Sequence, residues 1–231
     1  MQKNVDVQNE NDDTLGAGLA GRLRKLLDYE VKTENGKIVL ENRRIKMVQL
    51  GNSSEDREIY KTVTSDYIDF LRNHRGLEIR EDVDYEELFR REVLHDNYEK
   101  VPLFAVYKRN GTMIGTCGCR YCIEVKKGEE KLFFCEISDR ILQRHLSFGF
   151  GAIGAFIASN FFLNQLNERH LFFTSYPDRR DYSFRIIKAC NADFSHYIGS
   201  KERYIDDIFG NIGKQDFFCT TNFDGLINQL Y

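Results

Sequence analysis

The spacing of apolar and polar positions changes several times along the chain, and each change marks an element. Asn35-Gly36 has the composition of a hairpin turn, and Lys37 to Leu50 then reads as a strand or two. Gly51-Asn52-Ser53-Ser54 breaks that pattern and leads into a helix, with Ile59, Val63, Tyr67, Phe70 and Leu71 at helical spacing. An acidic linker precedes a second helix, about Tyr85 to Leu94. From Pro102 the period becomes that of sheet. Leu103 to Tyr107 is a strand, Arg109-Asn110-Gly111 a turn, and Met113 to Val125 the returning strand. A turn at Lys126 to Glu130 leads into a third strand, Lys131 to Ile137. A polar stretch from Ser138 to His145 and a glycine turn then open a long apolar helix, Gly149 to Leu166. His170 to Tyr176 is a further buried strand, and Asp178 to Ala189 a helix with Tyr182, Ile186 and Ala189 on one side. Ala192 to Ile198 and Gln215 to Thr220 supply closing strands, joined by a polar, partly helical segment.

Upstream of this, Met1 to Asp13 is polar and reads as a disordered tail. Thr14 can cap an amphipathic helix to about Tyr29, with Leu15, Leu19, Leu23, Leu26 and Leu27 on one stripe. Three regions follow: a tail over 1–13, an N-terminal helix and linker over 14–36, and one domain over 37–231. Gly16 to Gly21 matches the dinucleotide fingerprint in form, but no strand precedes it, so the match carries no binding site.

The stretch from Leu132 to Leu166 carries the strongest chemical signal. An apolar strand with one carboxylate, Glu136, runs into a loop, a glycine turn (Gly149, Gly151) and a helix. That order gathers unpaired backbone N–H groups and the positive end of a helix at one place, where phosphate oxygens can be held.

Composition narrows the classes. A chain of 231 residues can bury a sizeable core, and a formal charge of −3 argues against broad nucleic-acid binding. Asn160, Asn164 and Gln165 interrupt the best apolar run, so no membrane span is expected, and the polar N-terminus is no signal peptide. Six cysteines then suggest reduced thiols and a cytoplasmic protein. Strict alternation puts Cys117 and Cys119 on one face of their strand and Cys122 on the other, which makes them core residues and not metal ligands.

The element order resembles that of the GNAT acyltransferase superfamily over roughly Lys46 to Thr220. Asn110-Gly111-Thr112-Met113-Ile114-Gly115 is similar to that family's hairpin, and Glu136-Ile137 to the acidic strand end before its acyl-CoA loop. Gly149 and Gly151 match the Gln/Arg-x-x-Gly-x-Gly pattern. Ser183 to Phe194 resembles the Asn-x-x-Ser helix and the turn after it. Leu146 stands where Gln or Arg is expected, Arg180 where Asn is usual, and Asn191-Ala192-Asp193 replaces the glycine before Phe194. The resemblance implies an α+β fold with a mixed, mostly antiparallel central sheet flanked by helices. It implies an N-acyltransferase moving an acetyl or other acyl group from acyl-CoA, acetyl-CoA first, to a small-molecule or peptide amine. The pyrophosphate would lie on the N–H groups of Leu146, Ser147, Phe148, Gly149, Phe150, Gly151 and Ala152, with Arg144 and His145 beside it.

Such a transfer needs a base for the ammonium proton, an oxyanion donor and an acid for the leaving thiolate. Glu136 is the candidate base; Ser183 and Tyr182 are candidates for the thiolate. Glu136-Ile137-Ser138 and Pro177 also look like the acyl-homoserine-lactone and N-acyl-amino-acid synthase branch, which uses acyl carrier protein. There the phenylalanine-rich helix (Phe148, Phe150, Phe156, Phe161, Phe162) would line an acyl tunnel, although such residues are more often simply core. A third reading is a noncatalytic binding module of the same fold. The acceptor and the oligomeric state are not legible in the sequence.

Overall fold

The computed structural model describes residues 28–75, 77, 79–94, 101–177, 196–205 and 210–230. Nine strands form one sheet: β1 (Glu30–Glu34), β2 (Lys37–Glu41), β3 (Ile45–Gln49), β4 (Leu103–Lys108), β5 (Met113–Lys127), β6 (Glu130–Ile141), β7 (Leu171–Ser175), β8 (His196–Ile205) and β9 (Gly210–Cys219). Their order is β1-β2-β3-β4-β5-β6-β7-β9-β8, and every neighbouring pair is antiparallel except β6–β7. The expected α+β architecture, with a mixed and mostly antiparallel sheet, is therefore present.

Helices cover both faces. On one lie α1 (Ser54–Arg75) and α2 (Tyr85–Glu92), on the other α3 (Phe150–Asn164); a short helix α4 (Leu226–Gln229) follows the last strand. The start of α1 is fixed by a reciprocal cap: Ser53 Oγ accepts from the Asp56 N–H at 3.1 Å and donates to Asp56 Oδ2 at 2.7 Å. Of its expected stripe Val63 and Leu71 are buried, while Ile59, Tyr67 and Phe70 are half-buried against the same cluster and Tyr60 and Ile68 fill the centre of the buried face. Asp84 caps α2 by accepting from the N–H groups of Glu86 and Glu87. Among the described residues no helix is long and apolar enough to cross a membrane.

Several boundaries differ from the sequence reading. The segment taken as a linker before residue 37 contains β1, paired with β2 through the Asn35-Gly36 turn. Ser138 to Ile141, read as loop, continue β6, because β5 offers partners as far as Gly115. The segment expected to be polar and partly helical is instead occupied, where described, by the β8–β9 hairpin. The N-terminal helix over 14–27 and the helix over 178–189 lie outside the described residues.

The most consequential difference is a bulge in β5. The register runs Cys119 opposite Ile137 and then Tyr121 opposite Glu136, leaving Arg120 as an inserted residue. Alternation is broken there, so Cys122 does not point away from Cys119: their sulfurs lie 3.8 Å apart on the α3 side. Arg120 and Tyr121 both turn to the other face, under α1 and α2.

Candidate functional site

Strands β6 and β7 run side by side for only two residue pairs, Cys135 with Leu171 and Glu136 with Phe172. Beyond them β6 stays with β5 while β7 turns to β9, so the two parallel strands part. Glu136 sits at this vertex and is 3% exposed, so its carboxyl is turned away from solvent. Its Oε1 accepts from Thr174 Oγ1 at 3.4 Å.

Past the vertex, β6 ends in a 3-10 turn, Gln143–His145, tied to α1 by Asp66: Gln143 N–H donates to Asp66 Oδ2 at 2.8 Å, and Gln143 Nε2 to Asp66 O at 3.0 Å. Leu146, Ser147 and Phe148 then lead into Gly149, the α3 N-cap, which has φ +74°. That left-handed conformation favours glycine. No side chain caps this helix, so the first-turn amides around Phe150, Gly151 and Ala152 remain available to an outside acceptor.

The expected loop residues Arg144 to Ala152 are thus contiguous at one helix N-terminus. Two cations that sequence reasoning missed join them. Arg44 Nη2 donates to the Phe148 carbonyl at 3.3 Å, and its guanidinium lies 5.4 Å from the Phe150 ring centroid. Lys108 Nζ is 5.5 Å from the same ring. Loss of water, then Lys108 and Arg144, push the His145 imidazole below its usual value. Nothing local in the sequence marks Arg44 or Lys108; the β3–β4 pairing brings them here.

One anion already lies close. The Asp139 carboxyl rests against α3 at Gly151, where a Cβ would be 2.1 Å from Asp139 Oδ2. Removal of that carboxyl from water under the helix pushes it up, although the residue as a whole is exposed, and Arg120 offsets only part of this.

The face under α1 and α2 holds a charged network that no sequence motif announced. Glu92 is fully buried and receives bonds from Arg140 Nη1 and Nη2, Arg120 Nη1, Tyr60 OH and Tyr121 OH, all between 2.6 and 2.8 Å. Thr64 Oγ1 accepts from Arg140 and Thr116 Oγ1 from Arg120. Burial pushes the Glu92 carboxyl up, but the Arg140 and Arg120 guanidiniums and the hydrogen bonds outweigh it and hold it at about 2.

Ser183 and Tyr182 lie outside the described residues. The phenylalanines expected either to line a tunnel or to fill the core divide: Phe150, Phe161 and Phe162 are buried in the core, and Phe148 is 61% exposed.

No protein-family model and no curated protein matches the chain. Solved structures do. The ribosomal-protein-S5-alanine acetyltransferase from Vibrio fischeri superposes with a TM-score of 0.53 at 13% identity, over 80% of this chain and 97% of that one. The ribosomal L7/L12 alpha-N-protein acetyltransferase RimL does so with a TM-score of 0.53 at 8% identity, over 82% and 98%. The microcin C7 self immunity acetyltransferase MccE, solved with acetyl-CoA and AMP, gives a TM-score of 0.51 at 9% identity, over 77% and 92%. At these identities the likeness is one of fold: the chain has a GNAT-like α+β fold.

Proposed function

On that fold, we propose that the chain is an N-acyltransferase that moves an acyl group from acyl-CoA, acetyl-CoA first, to an amine. The observation that carries this reading is the parting of β6 and β7, with buried Glu136 at the vertex and the uncapped, cation-flanked end of α3 beyond it. The first-turn amides and Arg44, Lys108 and Arg144 suit a pyrophosphate. A helix N-terminus is worth roughly 0.3–1 kcal/mol to an anionic neighbour at exposed sites. Asp139 opposes the second charge there, which makes the flanking cations necessary.

When bound, an acyl-CoA supplies an acyl group activated as a thioester. Glu136, oriented by Thr174, takes the proton of the incoming ammonium and so frees the nitrogen lone pair for attack. Edge N–H groups left without a β6–β7 partner where the strands part would supply donors to the carbonyl oxygen as it gains charge. Ser183 and Tyr182 hold a proton for the leaving thiolate. The acceptor is a small-molecule or peptide amine; the ribosomal-protein and microcin-immunity acetyltransferases of the same fold are consistent with either. The free thiols of Cys117, Cys119, Cys122, Cys135 and Cys219 support a reducing, cytoplasmic setting.

Calorimetric titration with acetyl-CoA, a long-chain acyl-CoA and CoA tests the reading. Binding should be lost in the Arg44→Ala/Lys108→Ala double variant. Glu136→Gln should keep binding but abolish thiol release with an amine panel. Failure of every donor to bind overturns the proposal.

A further inference from the structure

On the α3 side of the sheet, β5 and β6 bring three sulfurs to one point. Cys122 Sγ is 3.8 Å from Cys119 Sγ and 2.9 Å from Cys135 Sγ, and all three lie within 4.8 Å of one another. Three observations make this more than a sulfur-rich patch of core. The bulge at Arg120 is what places Cys119 and Cys122 on one face; without the inserted residue, strand alternation would separate them. Cys135 is the direct cross-strand partner of Cys122, so the third sulfur is fixed by register and not by loop conformation. Cys119 and Cys135 are buried and Cys122 is half-buried, so Cys122 is the one of the three with partial access to solvent.

Metal–sulfur bonds of about 2.3 Å in a tetrahedral site set sulfurs about 3.8 Å apart. The Cys119–Cys122 separation already has that value, and the shorter Cys122–Cys135 separation would have to open by about 0.9 Å to reach it.

We propose that Cys119, Cys122 and Cys135 form a binding site for one thiophilic d10 cation, Zn²⁺. Thiolate sulfur is the soft donor that such ions prefer over carboxylate-rich sites. Cys122 is the half-buried member of the three, so a water reaching it could complete the coordination. Binding is a substitution without electron transfer: three S–H bonds give up protons to solvent and three sulfur–metal bonds form. The ion would pin β5 to β6 one residue from Glu136, at the level where β6 and β7 begin to part. It would brace that vertex from the face opposite the charged network. This inference does not depend on the acyltransferase reading.

The test uses the full chain, stripped of metal and kept reduced by a phosphine under anaerobic conditions. Zn²⁺ is titrated in competition with a chromophoric chelator, and Co²⁺ is added separately as a spectroscopic probe. One equivalent of Zn²⁺ should bind, and Co²⁺ should give a near-ultraviolet thiolate-to-metal charge-transfer band. Loss of even an outer-shell group costs about 10–100-fold in metal affinity, so Cys122→Ser should weaken Zn²⁺ by about 100-fold or more. Cys135→Ala should do the same, with far-ultraviolet circular dichroism confirming the fold of both variants. Cys117→Ser and Cys219→Ser should bind as the parent does. Absence of Zn²⁺ binding by the reduced parent overturns the proposal. Affinity unchanged by Cys122→Ser, or formation of a Cys122–Cys135 disulfide under the reducing conditions, does the same.

Discussion

The two faces of the β5–β6 pair each hold a carboxylate, and the two are treated in opposite ways. Under α1 and α2, Glu92 is wholly removed from water and surrounded by two guanidiniums and two phenols. Under α3, Asp139 has its carboxyl pressed against Gly151, with Arg120 acting on it only across the sheet. Glu92 is held far below the ordinary carboxylate range, whereas Asp139 is pushed upward from its ordinary value. Depth of burial therefore does not decide the outcome; the donors within bonding distance do. The Arg120 bulge sorts the two environments, sending Arg120 and Tyr121 to the charged face and leaving thiols on the other.

The hardest blow to this arrangement is Glu92→Gln. It leaves Arg120 and Arg140 buried without a counter-charge, and breaking a buried ion pair in this way costs about 3–5 kcal/mol. Chemical denaturation at pH 7 reads the loss directly. The same carboxyl predicts an acid limb of known sign. Its folded value, about 2, lies below the ordinary 4.5, so its stabilisation is complete above the unfolded value and is lost as pH falls from about 4.5 towards 2. Denaturation midpoints across that window should fall steeply in the parent and less steeply in Glu92→Gln.

Next in size comes Tyr60→Phe. Its hydroxyl donates to Glu92 Oε2 at 2.7 Å, and a hydrogen bond to a charged group contributes about 1.5–3 kcal/mol. The remaining donors to Glu92 stay in place, so the loss should be well below that of Glu92→Gln. An equal loss would mean that the network acts as a single unit.

How far the sequence anticipates these two faces follows from the range of the interactions. The α1 stripe and the β4–β5–β6 meander are local periodicities, and the turn ending at Gly149 is local chemistry; all three are legible from spacing. Glu136 is legible as a lone carboxylate in an apolar strand, and the structure buries it at the strand junction. The bulge is different. A two-against-one count is set by which residues of β6 stand opposite β5, and alternation along β5 alone hides it. Glu92, Arg120 and Arg140 come from three separate elements and look individually like surface charges. The arrival of Arg44 and Lys108 beside Phe150 also depends on tertiary pairing, so no window of sequence contains it.

On the α3 face the largest effect belongs to Gly151→Ala. The added methyl would meet Asp139 Oδ2 at 2.1 Å and Ile141 Cγ1 at 3.3 Å, so the Asp139 carboxyl must swing aside, and to the extent that it is held the overpacking costs up to about 1–3 kcal/mol. If the clash is the cause, adding Asp139→Ala should recover most of the loss. A double-mutant cycle measured by denaturation checks this, and additive losses would place the cost elsewhere.

Gly149→Ala completes the series and separates shape from crowding. Nothing lies within 4 Å of a Cβ at Gly149, so no neighbour can be struck, yet its φ of +74° lies where a side chain is disfavoured. The cost is conformational, about 1–2 kcal/mol. It should therefore be indifferent to Asp139→Ala, in contrast to Gly151→Ala. It also bears on the site, because relaxation of φ at the N-cap would turn the first α3 amides away from the space they share. Acyl-CoA affinity should then fall together with stability in Gly149→Ala. A variant that loses stability but keeps affinity would show that the amides reach their orientation from α3 itself and not from the turn before it.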